Sequence, residues 1–330
     1  MENILLSDKS NEMFSSLRGS NLLDLLEVVE NQYVEYRDGI HIPKDITFGL
    51  EIEYEEVSID NVTKFIKQNA REWDSGTDGS LFHGGEIRSP ILTDEKKYWE
   101  ELKTICEYLK KENANTSRYA GGHIHVGTPV LGNNVEGWRI FFKIIMLYEN
   151  ILYRFYYGDK LNGRPEISRY AKPISKELFY NLEEINEATT VQELKDYVSR
   201  ERRRSVNFKN VDFDNPSVKG DKNTIELRCP NATAEEVIWQ NNVNTSTKML
   251  IASGARVIDE DFLDYKLKRH VPDVNNPLRY KEIYLREALE LVDLIFSNNL
   301  DKVYFLRQYL KSFQIGVEAP EAVLAKRFVS

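Results

Sequence analysis

Four short stretches of the chain place an aliphatic residue between two ionisable ones: Glu51-Ile52-Glu53, Glu86-Ile87-Arg88, His123-Ile124-His125 and Glu226-Leu227-Arg228. On a β-strand, successive side chains point to opposite faces. Each triplet therefore presents two ionisable groups on one side, roughly 7 Å apart, and an aliphatic group on the other. If the four strands share a sheet, one face carries Glu, His and Arg while the other is apolar. Such a face suits metal ions and phosphate better than it suits a core.

Each pair also has a plainer reading. Glu51 and Glu53, continued by Glu55, repel one another unless a cation or an arginine lies between them, and they fit an exposed acidic edge strand as well. Phe48, Gly49, Leu50 and Ile52 speak for an interior strand. His123 and His125, two of only five histidines, have a familiar metal-ligand spacing. Gly121, Gly122 and Gly127 around them permit close approach of a ligand to the backbone. Hydrogen-bonded core histidines are the alternative. Glu226 and Arg228 read either as a cross-strand salt bridge or as a metal ligand beside a phosphate clamp. Glu86 follows two glycines, and Asp78 in Asp78-Gly79-Ser80 has the form of an Asx turn. Arg200, Arg202, Arg203 and Arg204 are either a solvated helix end or a set turned inward onto polyphosphate. Jointly, a carboxylate-rich set with one or two histidines suits magnesium or manganese better than zinc, and the added arginines make room for a metal-bound nucleotide. No Walker-type loop, GxGxxG or GxSxG motif is present.

The elements that must position these residues follow from periodicity. Apolar spacing predicts a helix over 13–36, a strand over 46–57 and a short helix over 61–71. Turn chemistry is expected over 73–79 and a strand over 85–90. Thr93 or Asp94 is expected to cap a helix reaching Lys111. A strand at 123–127, a buried helix at 135–157 and helices in two pieces over 176–203 come next. Strands are expected at 205–211 and 224–229, with the polar, mobile loop 212–223 between them. A helix over 234–253 follows, then two amphipathic helices over 277–313, broken near Asn298-Asn299. Strands that alternate in polarity and are separated by helices favour an α+β fold, a mainly antiparallel sheet with helices on one face. The expected division is an N-terminal helical extension (1–45), a catalytic domain (46–255) and a C-terminal helical segment packing on it (256–330).

The 330 residues carry a formal net charge of −9, with 41% hydrophobic and 29% charged content. Such a chain folds around a real core and lacks the broad basic face that nucleic acid requires. The two cysteines, Cys106 and Cys229, show no zinc or disulfide spacing. Neither a signal peptide nor an apolar run long enough to span a membrane is evident, so a cytoplasmic location without membrane attachment is expected.

In order, FGLEIE, DGS, GGEIRSP, GGHIHVG, SRYAKP, RRRSVNF, TIELR and NAT resemble the amidoligases, a carboxylate–amine ligase group with a glutamine-synthetase-like fold. The resemblance runs from about Phe48 to Thr233. It implies a curved sheet with an ionisable concave face. It also implies ATP-dependent amide formation, in which a substrate carboxylate is phosphorylated and an amine attacks the acyl phosphate. Mg2+ or Mn2+ is the implied metal. By position, Glu51, His123 and Glu226 would hold metal on the nucleotide side, and Glu53 and Glu86 nearer the acyl substrate. Arg228 would stabilise the transferring phosphoryl group, helped by Arg203 or Arg204. His125 would line the substrate or nucleotide pocket, Asp78 would orient the amine, and Arg169 matches a family arginine for a substrate carboxylate. The implied partners are an amine and a small-molecule, peptide or protein carboxylate. Because related ligases form rings or dimers, a homo-oligomer is a further expectation. Two other chemistries suit the same residues: a guanidino-kinase-like phosphotransferase, and an ATP-independent metal-dependent hydrolase.

Overall fold

The computed structural model describes residues 34–311, except 82, 117, 159, 161–162, 221 and 270–282. Six strands form one sheet: β1 (Phe48–Glu55), β2 (Asp74–Gly76), β3 (Gly84–Arg88), β4 (Gly122–Gly127), β5 (Val206–Asn207) and β6 (Thr224–Leu227). Their order is β2-β3-β1-β4-β6-β5, and every pairing is antiparallel. Ten α-helices complete the described residues: α1 (Ile59–Asn69), α2 (Lys96–Lys111), α3 (Val135–Tyr156), α4 (Ile167–Tyr170), α5 (Ser175–Tyr180), α6 (Leu182–Glu187), α7 (Glu236–Gly254), α8 (Glu260–Arg269), α9 (Leu285–Ile295) and α10 (Asn299–Leu310). None of them is long and apolar enough to cross a membrane.

The middle residue of each of the four sequence triplets is buried. Ile52, Ile87, Ile124 and Leu227 are fully inaccessible, and each such burial contributes roughly 1.5–3 kcal/mol. Phe48 stacks on Trp99 of α2 with ring centroids 5.3 Å apart. Gly122 leaves the space that Trp239 of α7 fills, since a Cβ there would lie 2.3 Å from the indole. Helices α9 and α10 pack on α3 and α7. One core runs continuously from Ile40 to Leu310, so the helices after 256 belong to the same packed body as the sheet.

The structure departs from the sequence expectations in several places. The helix expected over 13–36 lies outside the described residues up to 33, and residues 34–36 are not helical. The 73–79 segment is partly strand: Asp74 pairs with Arg88 of β3 through a 2.6 Å ion pair, which adds an edge strand where only a turn was expected. Neither Thr93 nor Asp94 caps α2. Asp94 instead accepts from Ile40 N (2.9 Å), Ile42 N (3.2 Å) and Trp99 Nε1 (2.8 Å), tying the incoming chain to the helix. The 176–203 region breaks into α5, α6 and a 3-10 turn at Glu193–Asp196. Strand β1 stops at Glu55 because Glu56 takes a left-handed conformation with φ 70°. Of the two helices expected over 277–313, the described residues hold α9 and α10, broken before Asn299 as the periodicity predicts; residues 277–282 and 312–313 lie outside the described residues.

One buried carboxylate anchors the segments at the far edge of the sheet. Glu149 of α3 accepts from Ile174 N and Ser175 N, both at 2.9 Å, and from the Ser205 hydroxyl. Ser205 N donates to Lys172 O (2.7 Å), Lys172 N to Arg203 O (2.8 Å) and Arg228 N to Ser205 O (2.8 Å). The start of α5, the approach to β5 and the end of β6 therefore converge on one side chain. Burial raises the pKa of Glu149 above the usual carboxylate range, against hydrogen bonds that pull it down. Glu149→Ala would leave three donors without this acceptor and should cost roughly 3 kcal/mol, with Ser205→Ala costing about 1 kcal/mol. Denaturant unfolding measures both. A loss below about 1 kcal/mol for Glu149→Ala would mean that this carboxylate does not hold the three segments.

Candidate metal and anion site

Strand register brings the ionisable residues together. Opposite residues of antiparallel strands share a face. Glu51 lies opposite Arg88 on one side and His123 on the other, while Glu53 lies opposite Glu86. His125 lies opposite both Gly49 and Glu226, and Glu226 also faces Asn207. A row of acids and imidazoles thus crosses β3, β1, β4 and β6.

Glu51 bridges the two histidines: Oε2 lies 2.5 Å from His123 Nδ1, and Oε1 lies 3.1 Å from His125 Nε2. The other ring nitrogen of His123 is 3.7 Å from Glu53 Oε1. Glu226 accepts from Arg228 Nη1 and from Asn207 Nδ2, the latter at 2.5 Å. Glu53 Oε2 accepts from Gly121 N at 2.5 Å. Gly121 must be glycine because the buried Arg164 guanidinium lies against it, with a Cβ falling 1.9 Å from Nη1. Arg164 is itself fixed by Pro230 O (2.8 Å) and Arg228 O (3.0 Å).

The charges are unequally balanced. Burial acts to raise the pKa of Glu51, but hydrogen bonds from His123 and His125 outweigh it and hold the carboxyl well below the usual range. Glu226 is also lowered: burial opposes ionisation, and the charges of His123, Arg228 and His125 overcome it. His125 is raised, because its Glu51 hydrogen bond and the Glu226 charge outweigh burial. Glu86 goes the other way. Burial first, then the charges of Glu51, Glu53 and Asp78, push it up to about 7. Its nearest cationic group, Arg88 Nη1, is 3.7 Å away.

Three overlapping sets of donor atoms lie within 4.8 Å of one another: Glu51/His125/Glu226, Glu51/Glu86/His123 and Glu53/Asp78/Glu86. Oxygen-rich sets of this kind could hold hard divalent cations. Two cavities flank them. The larger, about 560 Å³, is lined by Glu53, Asp78, His123, Arg164, Arg169, Arg202, Arg203 and Arg228, with Tyr119 and Tyr170. The smaller, about 260 Å³, is lined by Glu51, His125, Phe48, Ile91, Asn210 and Thr224 among others.

Glu51, Glu53, Glu86, His123, His125, Glu226 and Arg228 all meet on this face, and Asp78 approaches it from the β2–β3 loop. Asp78 also accepts from Ser80 N at 2.6 Å, so the Asx turn and the proximity to Glu53 and Glu86 coexist. Arg169 and Arg203 reach the larger cavity and flank the Tyr170 ring, 5.4 and 5.7 Å from its centroid. Arg204 does not line it; its guanidinium pairs with Glu177 (2.7 Å) and Glu201 (3.3 Å). Sequence reasoning missed Arg164, Asn207, Tyr119 and Tyr170. Two of them lie in segments that the sequence singles out, Tyr170 in SRYAKP and Asn207 in RRRSVNF, without a role of their own.

A family model described as "Putative amidoligase enzyme" matches residues 65–250, more than half of the chain. The span includes Glu86, both site histidines, Arg169, Arg203, Glu226 and Arg228. Strand β1, with Glu51 and Glu53, precedes it. No curated protein matches the chain.

A divalent cation requires ionised ligands, so its affinity should track the Glu86 carboxyl. With the metal-free pKa near 7, Mn2+ affinity should rise as pH increases from about 6 to 8, with proton release at the lower end. Calorimetry in buffers of different ionisation enthalpy reads both quantities. Glu86→Gln should remove this pH dependence and weaken binding. A pH-independent affinity in the unaltered protein would exclude Glu86 as a ligand.

Proposed function

This chain belongs to the amidoligase family, and from that premise we propose that it is an ATP-dependent carboxylate–amine ligase acting through an acyl phosphate. The observation that carries the reading is the position of the acid–histidine cluster between two cavities. Glu53 faces the larger, arginine-lined one, while Glu51 and His125 face the smaller one. A nucleotide entering from the smaller cavity would bring its terminal phosphate to the cluster. A carboxylate in the larger cavity would meet it there. The antiparallel sheet with one ionisable and one apolar face supports a glutamine-synthetase-like fold.

The γ-phosphoryl group passes from ATP to a substrate carboxylate oxygen, releasing ADP. An uncharged amine then attacks the acyl carbon and expels phosphate, leaving the amide. This chemistry requires alignment and charge neutralisation more than covalent help from the protein. Glu51, His123 and Glu226 would hold one magnesium or manganese ion on the nucleotide side, with His125 beside them. Glu53 and Glu86, joined by Asp78, would hold another on the acyl side. Bound there, the metals supply positive charge against the phosphate oxygens. Arg228, fixed in place by Glu226, would present its guanidinium to the phosphoryl group in transit. Asp78, on the rim of this set, would also orient the incoming ammonium. It must lose a proton before attack, to a carboxylate or to the phosphate itself.

Thermal unfolding with ATP, with and without magnesium, tests the premise. At ligand near 100 times Kd the protein gains about 2.7 kcal/mol. The expected result is a magnesium-dependent rise in Tm that Glu226→Gln abolishes. Stabilisation by manganese or zinc alone, with none by ATP, would instead support metal-dependent hydrolysis. In a turnover assay with a competent carboxylate and amine, Arg228→Lys should reduce kcat by about two to three orders of magnitude while nucleotide binding changes little. Phosphorylation of a stable acceptor without amide formation would overturn the ligase assignment.

A further inference from the structure

The larger cavity holds more positive charge than phosphoryl transfer uses. Five arginines line it, against the carboxylates of Glu53, Asp78 and Glu166. Arg164 is committed to the Pro230 and Arg228 carbonyls, Arg228 to Glu226, and Arg169 to Glu166 at 3.2 Å. Arg202 and Arg203 remain. Among the described residues their guanidinium groups make no ion pair or hydrogen bond, and Arg203 is held only by the Tyr170 ring, 5.7 Å away. The nearby acid Glu201 is engaged by Lys172 (3.0 Å) and Arg204 (3.3 Å).

Glu53 and Asp78 line the same cavity as Arg202 and Arg203, yet among the described residues no ion pair joins either acid to either arginine. A ligand in this cavity meets carboxylates suited to a metal and, separately, two unpaired guanidinium groups. In a chain of net charge −9, a local concentration of unpaired arginine is a recognition feature rather than a bulk property.

We propose that the carboxylate substrate bears a second anionic group, carboxylate or phosphate, gripped by Arg202 and Arg203 in the cavity that Glu53 and Asp78 also line. The proposal rests on the ligase reading only for the statement that the first carboxylate reacts. It makes the acceptor a dianion and disfavours monocarboxylates and substrates with a neutral or cationic far end. Such a ligand loses little by leaving water, because charge-assisted bonds replace its hydration at both ends.

Isothermal titration of the full chain, with magnesium and without nucleotide, tests it with butyrate, glutarate and 4-phosphonobutyrate as probes. These share a short alkyl chain and differ in the second anion. Glutarate or 4-phosphonobutyrate should bind at least tenfold tighter than butyrate, and the tighter of the two identifies the second group as carboxylate or phosphate. The double variant Arg202→Gln/Arg203→Gln should lose at least that factor for the dianion while butyrate and Mg-ATP affinities stay within twofold. Both positions are exposed, so an unchanged Tm confirms that the variant folds. Equal affinities for the three probes, or no binding by any, would overturn the proposal. An equal loss of Mg-ATP affinity in the double variant would also overturn it, by assigning the arginines to the nucleotide, and would leave the ligase reading intact. Arginine-dependent dianion binding without any Mg-ATP binding would uphold the proposal and remove the ligase reading.

Discussion

Four carboxylates on one face of one sheet repel one another, and much of the molecule relieves that repulsion. Glu51 is shared between two imidazoles, Glu226 is held by Arg228 and Asn207, and Glu53 takes a backbone N–H from Gly121. Each partner comes from a neighbouring strand or strand end, so the sheet cannot form in this register without assembling the cluster. Glu86 is the exception. Among the described residues its close cation is Arg88, itself drawn outward by Asp74 at 2.6 Å. The unrelieved charge therefore collects at the Glu53–Asp78–Glu86 corner, where an added cation would gain the most.

The price of that face is met on its reverse. Ile52, Ile87, Ile124 and Leu227 alternate with the charged residues and are fully buried in the core that the sheet shares with the helices, α7 packing directly on β4. A one-residue slip of any strand would carry its acids into that layer. The cost of burying an unpaired carboxylate far exceeds the gain from any single aliphatic, so the apolar side enforces the register that the polar side needs. Glu149 extends this logic beyond the strands. Its three hydrogen bonds set the approach to β5 and hence the position of Arg203.

This division explains what the sequence disclosed. The triplets on β1, β3, β4 and β6 were legible because a period of two is a local property, and Glu51, Glu53, Glu86, His123, His125 and Glu226 were found by it. The acid run continues through Glu55 and Glu56, and the strand ends where Glu56 takes a left-handed conformation. Contacts set by chain path were not legible. Arg164 lies against Gly121 through the fold of a loop 43 positions away in the sequence. Asp94 looks like a helix cap and instead binds the chain entering β1. Arg203 and Arg204 are adjacent and chemically alike, yet one reaches the cavity and the other an acidic pair on α5 and the preceding turn. Only the β5 approach, fixed by Ser205, decides between them.

The acid cluster serves as a shared wall between two cavities, and this constrains what may happen there. A ligand in either cavity changes the field felt in the other, because Glu51, His123 and Glu226 are coupled over less than 4 Å. A cation held by Glu51, His123 and Glu226 would take up the negative charge that His125 now shares with them. Interactions at this range inside a desolvated site are screened far less than those between exposed charges. Under the ligase reading, filling one cavity would therefore alter the electrostatic balance met by a ligand in the other.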